Sequence, residues 1–126
     1  MDPLWLKVCD LLRWHSVGMH TPIQTLNRLW RKQPYVKRFP QEFANLPELT
    51  ESMLSVREES WMLETLLALT DSTFHQRAKP KAFPPIIVLE RTGRDFLMDG
   101  GNRLNYWRQR GDAGPHAVLK IVVRED

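Results

Sequence analysis

The run Ile86-Ile87-Val88-Leu89 constrains the fold more than any other segment. It is short, mostly β-branched, preceded by Pro84-Pro85 and followed by the turn Arg91-Thr92-Gly93-Arg94. Such a run reads as a buried strand. A buried strand needs a sheet beside it and helices to cover it. Phe96-Leu97-Met98 follows the turn and reads as its hairpin partner. Asp99-Gly100-Gly101 then leads into a helix from about Asn102 to Arg110, stopped by Gly111. Ala117–Val123 supplies a third apolar strand.

Upstream, the sequence reads as helical. Asp2-Pro3 is an N-cap followed by a first-turn proline, and Leu4, Val8, Leu11 and Leu12 recur at helical spacing to about His15. Thr21-Pro22-Ile23-Gln24 is a capping box that opens a second helix, with Ile23, Leu26 and Trp30 inward and Pro34 as its stop. Tyr35–Thr50 reads as irregular. Ser55-Val56-Arg57-Glu58 reads as another capping box, opening the strongest helix of the chain, to about Thr70, with an inner stripe of Trp61, Met62, Leu66 and Leu69. The expectation is an α+β fold: a small mixed β-sheet with packed helices, as one domain over residues 1–126. Residues 1–75 would form its helical part and 84–126 its strand-hairpin-helix-strand core.

Composition narrows the function classes. The longest apolar runs fall far short of the roughly 20 residues that span a bilayer, and the first residues lack a basic leader region. A single cysteine, Cys9, excludes an internal disulfide and a cysteine-rich zinc site. These features suit a cytoplasmic protein. Net charge is only +3, but it is segregated. Arg13, Arg28, Arg31, Lys32, Lys37 and Arg38 fall in a stretch without an acid, and Arg77 to Arg110 is again basic. Folding could bring the two segments together as a face for DNA, with Arg28, Arg31, Lys32, Lys37 and Arg38 as its contacts. The alternative is ordinary solvated surface.

The strand-Asp-Gly-Gly-helix turn carries a mechanism. A helix N-terminus has amides without intrahelical partners and the positive end of the helix dipole. Preceding glycines let the backbone approach a ligand. Gly100, Gly101, Asn102 and Arg103 are therefore candidate phosphate-binding residues, with Arg103 adding a bidentate contact. Asp99 would cap the helix, pair with an arginine, or hold a divalent cation. Glu90 and Asp95 flank the hairpin turn and could serve as a general base near the motif, so Asp99 and Glu90 are the candidate catalytic residues; two solvated acids are the simpler alternative. A plain capped turn with a solvated arginine is the simpler alternative.

The sequence Pro85–Leu89, then Asp95–Leu104, then Val118–Val123 resembles the ParB N-terminal/sulfiredoxin-like superfamily. Its members often read strand, hairpin, Asp-Gly-x-x-Arg-Leu, helix, strand, and the likeness covers about the last third of the chain. It implies that the Gly100–Arg103 turn binds nucleotide phosphates or a nucleic-acid backbone, with ATP or CTP and Mg2+ as the candidate ligands. It also implies weak NTPase or nuclease chemistry in a stand-alone protein of plasmid or phage origin. Arg103 matches the motif arginine, whereas Asn102 stands where histidine is common and Gly101 where sulfiredoxin has its catalytic cysteine. Non-catalytic DNA binding and a regulatory protein partner remain open beside it. His15, His20, His75 and His116 show no metal-ligand spacing. Of five tryptophans, any that is exposed near the basic segments could stack on a base.

Overall fold

The computed structural model describes residues 2–15, 18, 20–70 and 79–125; His75 and Arg77 lie outside them. The helical part comprises α1 (Pro3–Leu12), a 3-10 turn (Arg13–His15), α2 (Pro22–Arg31), α3 (Pro34–Arg38) and α4 (Pro40–Phe43). A 3-10 turn (Glu51–Met53) leads into β1 (Leu54–Trp61) and α5 (Leu63–Leu67). The chain then forms β2 (Ile86–Arg91), β3 (Arg94–Asp99), α6 (Gly101–Arg110) and β4 (His116–Val123).

Four strands make one mixed sheet in the order β1-β4-β2-β3. The outer pairs β1–β4 and β2–β3 are antiparallel, and the central pair β2–β4 is parallel. The position of β2 explains its unbroken apolar run. Side chains alternate along a strand, and here both faces are covered. Ile87 and Leu89 pack with Leu119 and Ile121 against Val8, Leu12, Leu26 and Trp30 of α1 and α2. Ile86 and Val88 pack with Val118 against Leu63, Leu66, Leu104 and Trp107 of α5 and α6. Full burial of each such side chain contributes roughly 1.5–3 kcal/mol, so this central pair anchors both layers.

The caps of α1 and α2 follow the sequence. Asp2 accepts from the Leu4 amide at 2.9 Å, and Thr21 and Gln24 exchange both bonds of their capping box. α6 docks through Leu104 and Trp107, as its spacing requires, and the Trp107 ring stacks on His116 of β4 at 3.6 Å. Among the described residues no helix is long and apolar enough to cross a membrane.

Two segments differ from the sequence expectation. Ser55–Trp61 is not the start of a long helix but most of β1, paired residue for residue with β4, and the helix that follows is only Leu63–Leu67. Leu54 and Val56 alternate inward at the strand period, while Glu58 on the same side reaches Lys7 of α1 at 3.2 Å. The Ser-x-x-Glu spacing is compatible with either conformation. Eight residues of ladder with a buried strand outweigh a local cap, because strand formation is decided by tertiary neighbours. Tyr35–Thr50 is also more ordered than expected. Pro34 and Pro40 each stand at the first position of a one-turn helix, the place where a missing N–H costs nothing.

The hairpin turn is Thr92-Gly93, with positive φ at both residues, which is the type I′ geometry that matches strand twist. A β-branched residue with φ of 53° is held in a region costing roughly 1–2 kcal/mol. Thr92→Asn should therefore raise stability by up to about 1 kcal/mol, because Asn is favoured at this turn position. Thermal unfolding of the two proteins checks this; a lower melting temperature for the Asn variant would contradict it.

Candidate functional site

Asp99 ends β3 and Gly101 begins α6, so the Asp99-Gly100 turn lies where a strand meets a helix N-terminus. Gly100 has φ of +136°, and a Cβ there would fall 2.3 Å from the Cδ1 of buried Ile86. The glycine is thus required by its positive φ, with crowding against buried Ile86 added to it, independently of any ligand. No side chain caps α6. The Asp99 carboxylate is instead turned to two other partners.

One Asp99 oxygen meets His15 Nε2 at 2.7 Å, and the other accepts from Arg103 Nη2 at 2.7 Å. Arg103 Nη1 donates to the carbonyls of Pro84 and, at 2.7 Å, Pro85. The Arg103 side chain is only 7% exposed and that of Asp99 17%. Burial by itself would raise the Asp99 carboxyl, but the hydrogen bond from His15 and the charge of Arg103 outweigh it and hold it below the usual carboxylate range. An ionised carboxylate only accepts, so Nε2 of His15 carries the proton in this pair. The other ring nitrogen, Nδ1, is then the basic one when the ring is neutral. Arg28 of α2 donates to the His15 carbonyl, which fixes the backbone behind the ring.

A cavity of about 460 Å³ opens beside this relay. Asp99, Gly100, Gly101, Asn102 and Arg103 line one side; Trp14, His15 and Lys81 line others. Trp14 is 87% exposed, an unusual state for the largest apolar side chain. The lining therefore combines an uncapped helix N-terminus, an imidazole, an ammonium and an indole.

The sequence-derived residues divide clearly. Gly100, Gly101, Asn102, Arg103 and Asp99 come together as expected. Arg103, expected as an exposed ligand contact, is instead a buried clamp between the β2 approach and the turn. The hairpin separates Glu90 from Asp99: Glu90 pairs with Asp95 near the turn, whereas Asp99 pairs with Ile87 at the far end. Glu90 binds Lys120 Nζ at 3.0 Å. Burial works against the Lys120 ammonium, but the hydrogen bond to Glu90 and the charge of Asp95 outweigh it and raise its pKa. Glu90 thus has no geometric share in the Asp99 cavity. Both oxygens of Asp99, offered above as a metal holder, are engaged, and the described residues contain no cluster of three metal-ligating side chains.

The five basic residues assigned to DNA do not act alike. Arg28 is turned to His15, and Arg31 lies over the Trp30 ring and reaches Glu48 at 3.7 Å. Arg38 lines a second cavity beside Arg94, while Lys32 and Lys37 are exposed. Cys9 packs against the core, where burial raises its thiol pKa, and it does not line the Asp99 cavity. His15 is the residue that sequence reasoning missed. Its partner lies 84 positions away, and no local spacing signals that contact. No family model, curated protein or solved structure matches this chain.

Two outcomes follow from the relay. Arg103→Ala leaves a buried carboxylate with one partner and two carbonyls without a donor. It should cost about 3 kcal/mol, since breaking a buried pair is strongly destabilising. That corresponds to roughly 10 °C in melting temperature for a domain of this size, and a shift within 2 °C, or about 0.5 kcal/mol, would contradict the clamp. Because the folded pKa of Asp99 is depressed, its contribution is complete above the ordinary carboxylate range and lost as pH falls below it. Asp99→Asn should therefore narrow the stability gap to wild type as the medium is acidified from pH ~6 to ~3, as measured by urea unfolding.

Proposed function

We propose that the cavity at the start of α6 binds the phosphate groups of a nucleotide, as the resemblance to ParB N-terminal/sulfiredoxin-like domains implies. The observation that carries this reading is the uncapped N-terminus of α6 opening on a cavity whose one carboxylate is neutralised from both sides. Asp99 would repel phosphate if free. Committed to His15 and Arg103, it leaves the helix dipole and Lys81 to favour an anion. Trp14 at the rim offers a face on which a base can stack.

In this reading Arg103 shapes the turn and does not grip the ligand, and its contribution to binding is indirect. His15 supplies an imidazole beside the turn where Asn102 cannot titrate. Nε2 of His15 is engaged by Asp99, so Nδ1 is the ring nitrogen left for the base that NTPase or nuclease activity would require. ATP and CTP are the first candidates, each delivered with Mg2+. Among the described residues no cluster of three metal-ligating side chains stands ready to hold the ion.

Thermal shift with ATP, CTP, GTP and inorganic phosphate, each with and without Mg2+, tests the reading. Wild type should be stabilised by at least one triphosphate, by about 2.7 kcal/mol at a hundredfold excess over Kd. Lys81→Glu should remove most of that gain without altering the unliganded melting temperature, because Lys81 is exposed. If no triphosphate and no phosphate protects the wild type, the phosphate-site reading fails.

A further inference from the structure

Beyond the cavity, α6 presents a surface that phosphate binding at its N-terminus does not use. Asn102, Tyr106 and Arg110 are spaced four residues apart and so share one face of the helix. Against this face lies the segment before β2. Phe83 packs on Tyr106 at 5.2 Å and Trp107 at 6.1 Å between centroids, yet remains 45% exposed. Lys79 Nζ stands 5.8 Å from the Tyr106 ring and the Arg110 guanidinium 4.7 Å from it. Two cations are thus gathered on one aromatic ring, with an exposed phenyl group beside them.

The surrounding sequence is one-sided in charge. There is no acid from Lys79 to Leu89 and none from Gly100 to Gly111. The Tyr106 ring holds both cations by cation–π attraction but leaves their charge unneutralised, and an exposed phenyl group beside them suits a ligand with both negative charge and flat apolar faces. Single-stranded nucleic acid has that alternation of phosphates and unstacked bases. A duplex hides its base faces, and an acidic peptide has no stacking surface to match Phe83.

We infer that the Lys79–Phe83–Tyr106–Arg110 surface is a binding track for single-stranded nucleic acid, with Phe83 stacking on a base and Lys79 and Arg110 pairing with flanking phosphates. Lys81 and Asn102 line the neighbouring cavity and join the track to it. The track does not depend on nucleotide binding in the cavity, and the two can fail separately.

Fluorescence anisotropy of the whole chain with labelled dT12 and rU12, against a 12-base-pair duplex, tests this. Both single strands should bind more tightly than the duplex, and tightness should fall with salt, with a log–log slope of roughly −1.4 if two cations pair with phosphates. Lys79→Glu combined with Arg110→Glu should weaken dT12 binding at least tenfold and flatten the slope. Phe83→Ala should weaken it about tenfold, the size expected for losing one stacked base. Protection by nucleotide should be unchanged in all these variants. Should the double variant or Phe83→Ala unfold, Lys79→Glu alone, which lies outside every helix and strand, must still weaken binding severalfold. Absence of single-strand binding at low salt overturns the track. So does equal binding of duplex, or binding indifferent to the tested variants. A chain that binds dT12 while no triphosphate protects it keeps the track and loses the cavity reading.

Discussion

The carboxylate of Asp99 joins three separate parts of the chain. Through His15 it holds the 3-10 turn after α1; through Arg103 it holds the first turn of α6; and Arg103 in turn gathers the Pro84 and Pro85 carbonyls ahead of β2. Each of these partners is polar and poorly exposed, so each would carry a desolvation cost if left alone. Together they satisfy one another. The cavity beside them depends on the same relay. Its helix end stays uncapped because the nearest capping carboxylate is occupied elsewhere.

Several other basic residues are also engaged within the fold. Arg91 is fully buried, donates to Glu125 at 2.9 Å and to the Pro47 carbonyl at 2.7 Å, and lies over the Trp30 ring. Lys120, in the central strand β4, is held by Glu90 and Asp95. Arg94 stacks on Tyr35 at 3.7 Å. A positive total therefore overstates the charge that faces solvent as one patch. Outward charge remains at several separate places, among them Lys81 at the cavity, Lys79 and Arg110 beside Tyr106 of α6, and Lys32 and Lys37 after α2.

Two layers of helices on a mixed sheet also explain where the site can be. The parallel pair β2–β4 forces a crossover, and the crossover contains β3 and α6. A strand-to-helix turn at the edge of the sheet follows from that path. α1 covers the opposite face of the sheet from α6, yet the 3-10 turn that follows it reaches the rim of the sheet and delivers Trp14 and His15 to the β3–α6 turn. The site is thus shared by both layers.

Much of this was written locally in the chain. The apolar run of β2, the Thr92-Gly93 turn, the caps at Asp2 and Thr21, and the Gly-Gly turn into α6 each depend on residues within a few positions of one another. Short-range sterics and hydrogen bonds suffice to specify such features. β1 was not legible, because its Ser55-x-x-Glu58 spacing satisfies a helix cap and a half-buried strand equally, and only pairing with β4 separates them. Pairing of Arg103 with Asp99 was one of the alternatives the sequence left open, but its burial against the Pro84 and Pro85 carbonyls and the diversion of Glu90 to Lys120 were not legible. Nothing in a linear sequence distinguishes an arginine facing solvent from one buried against two distant carbonyls. His15 is the clearest case: its meaning rests on a carboxylate 84 residues away. The sequence determined the local conformations and the turn, while the tertiary structure decided which charges were consumed in holding it, because burial and partner choice belong to the packed chain.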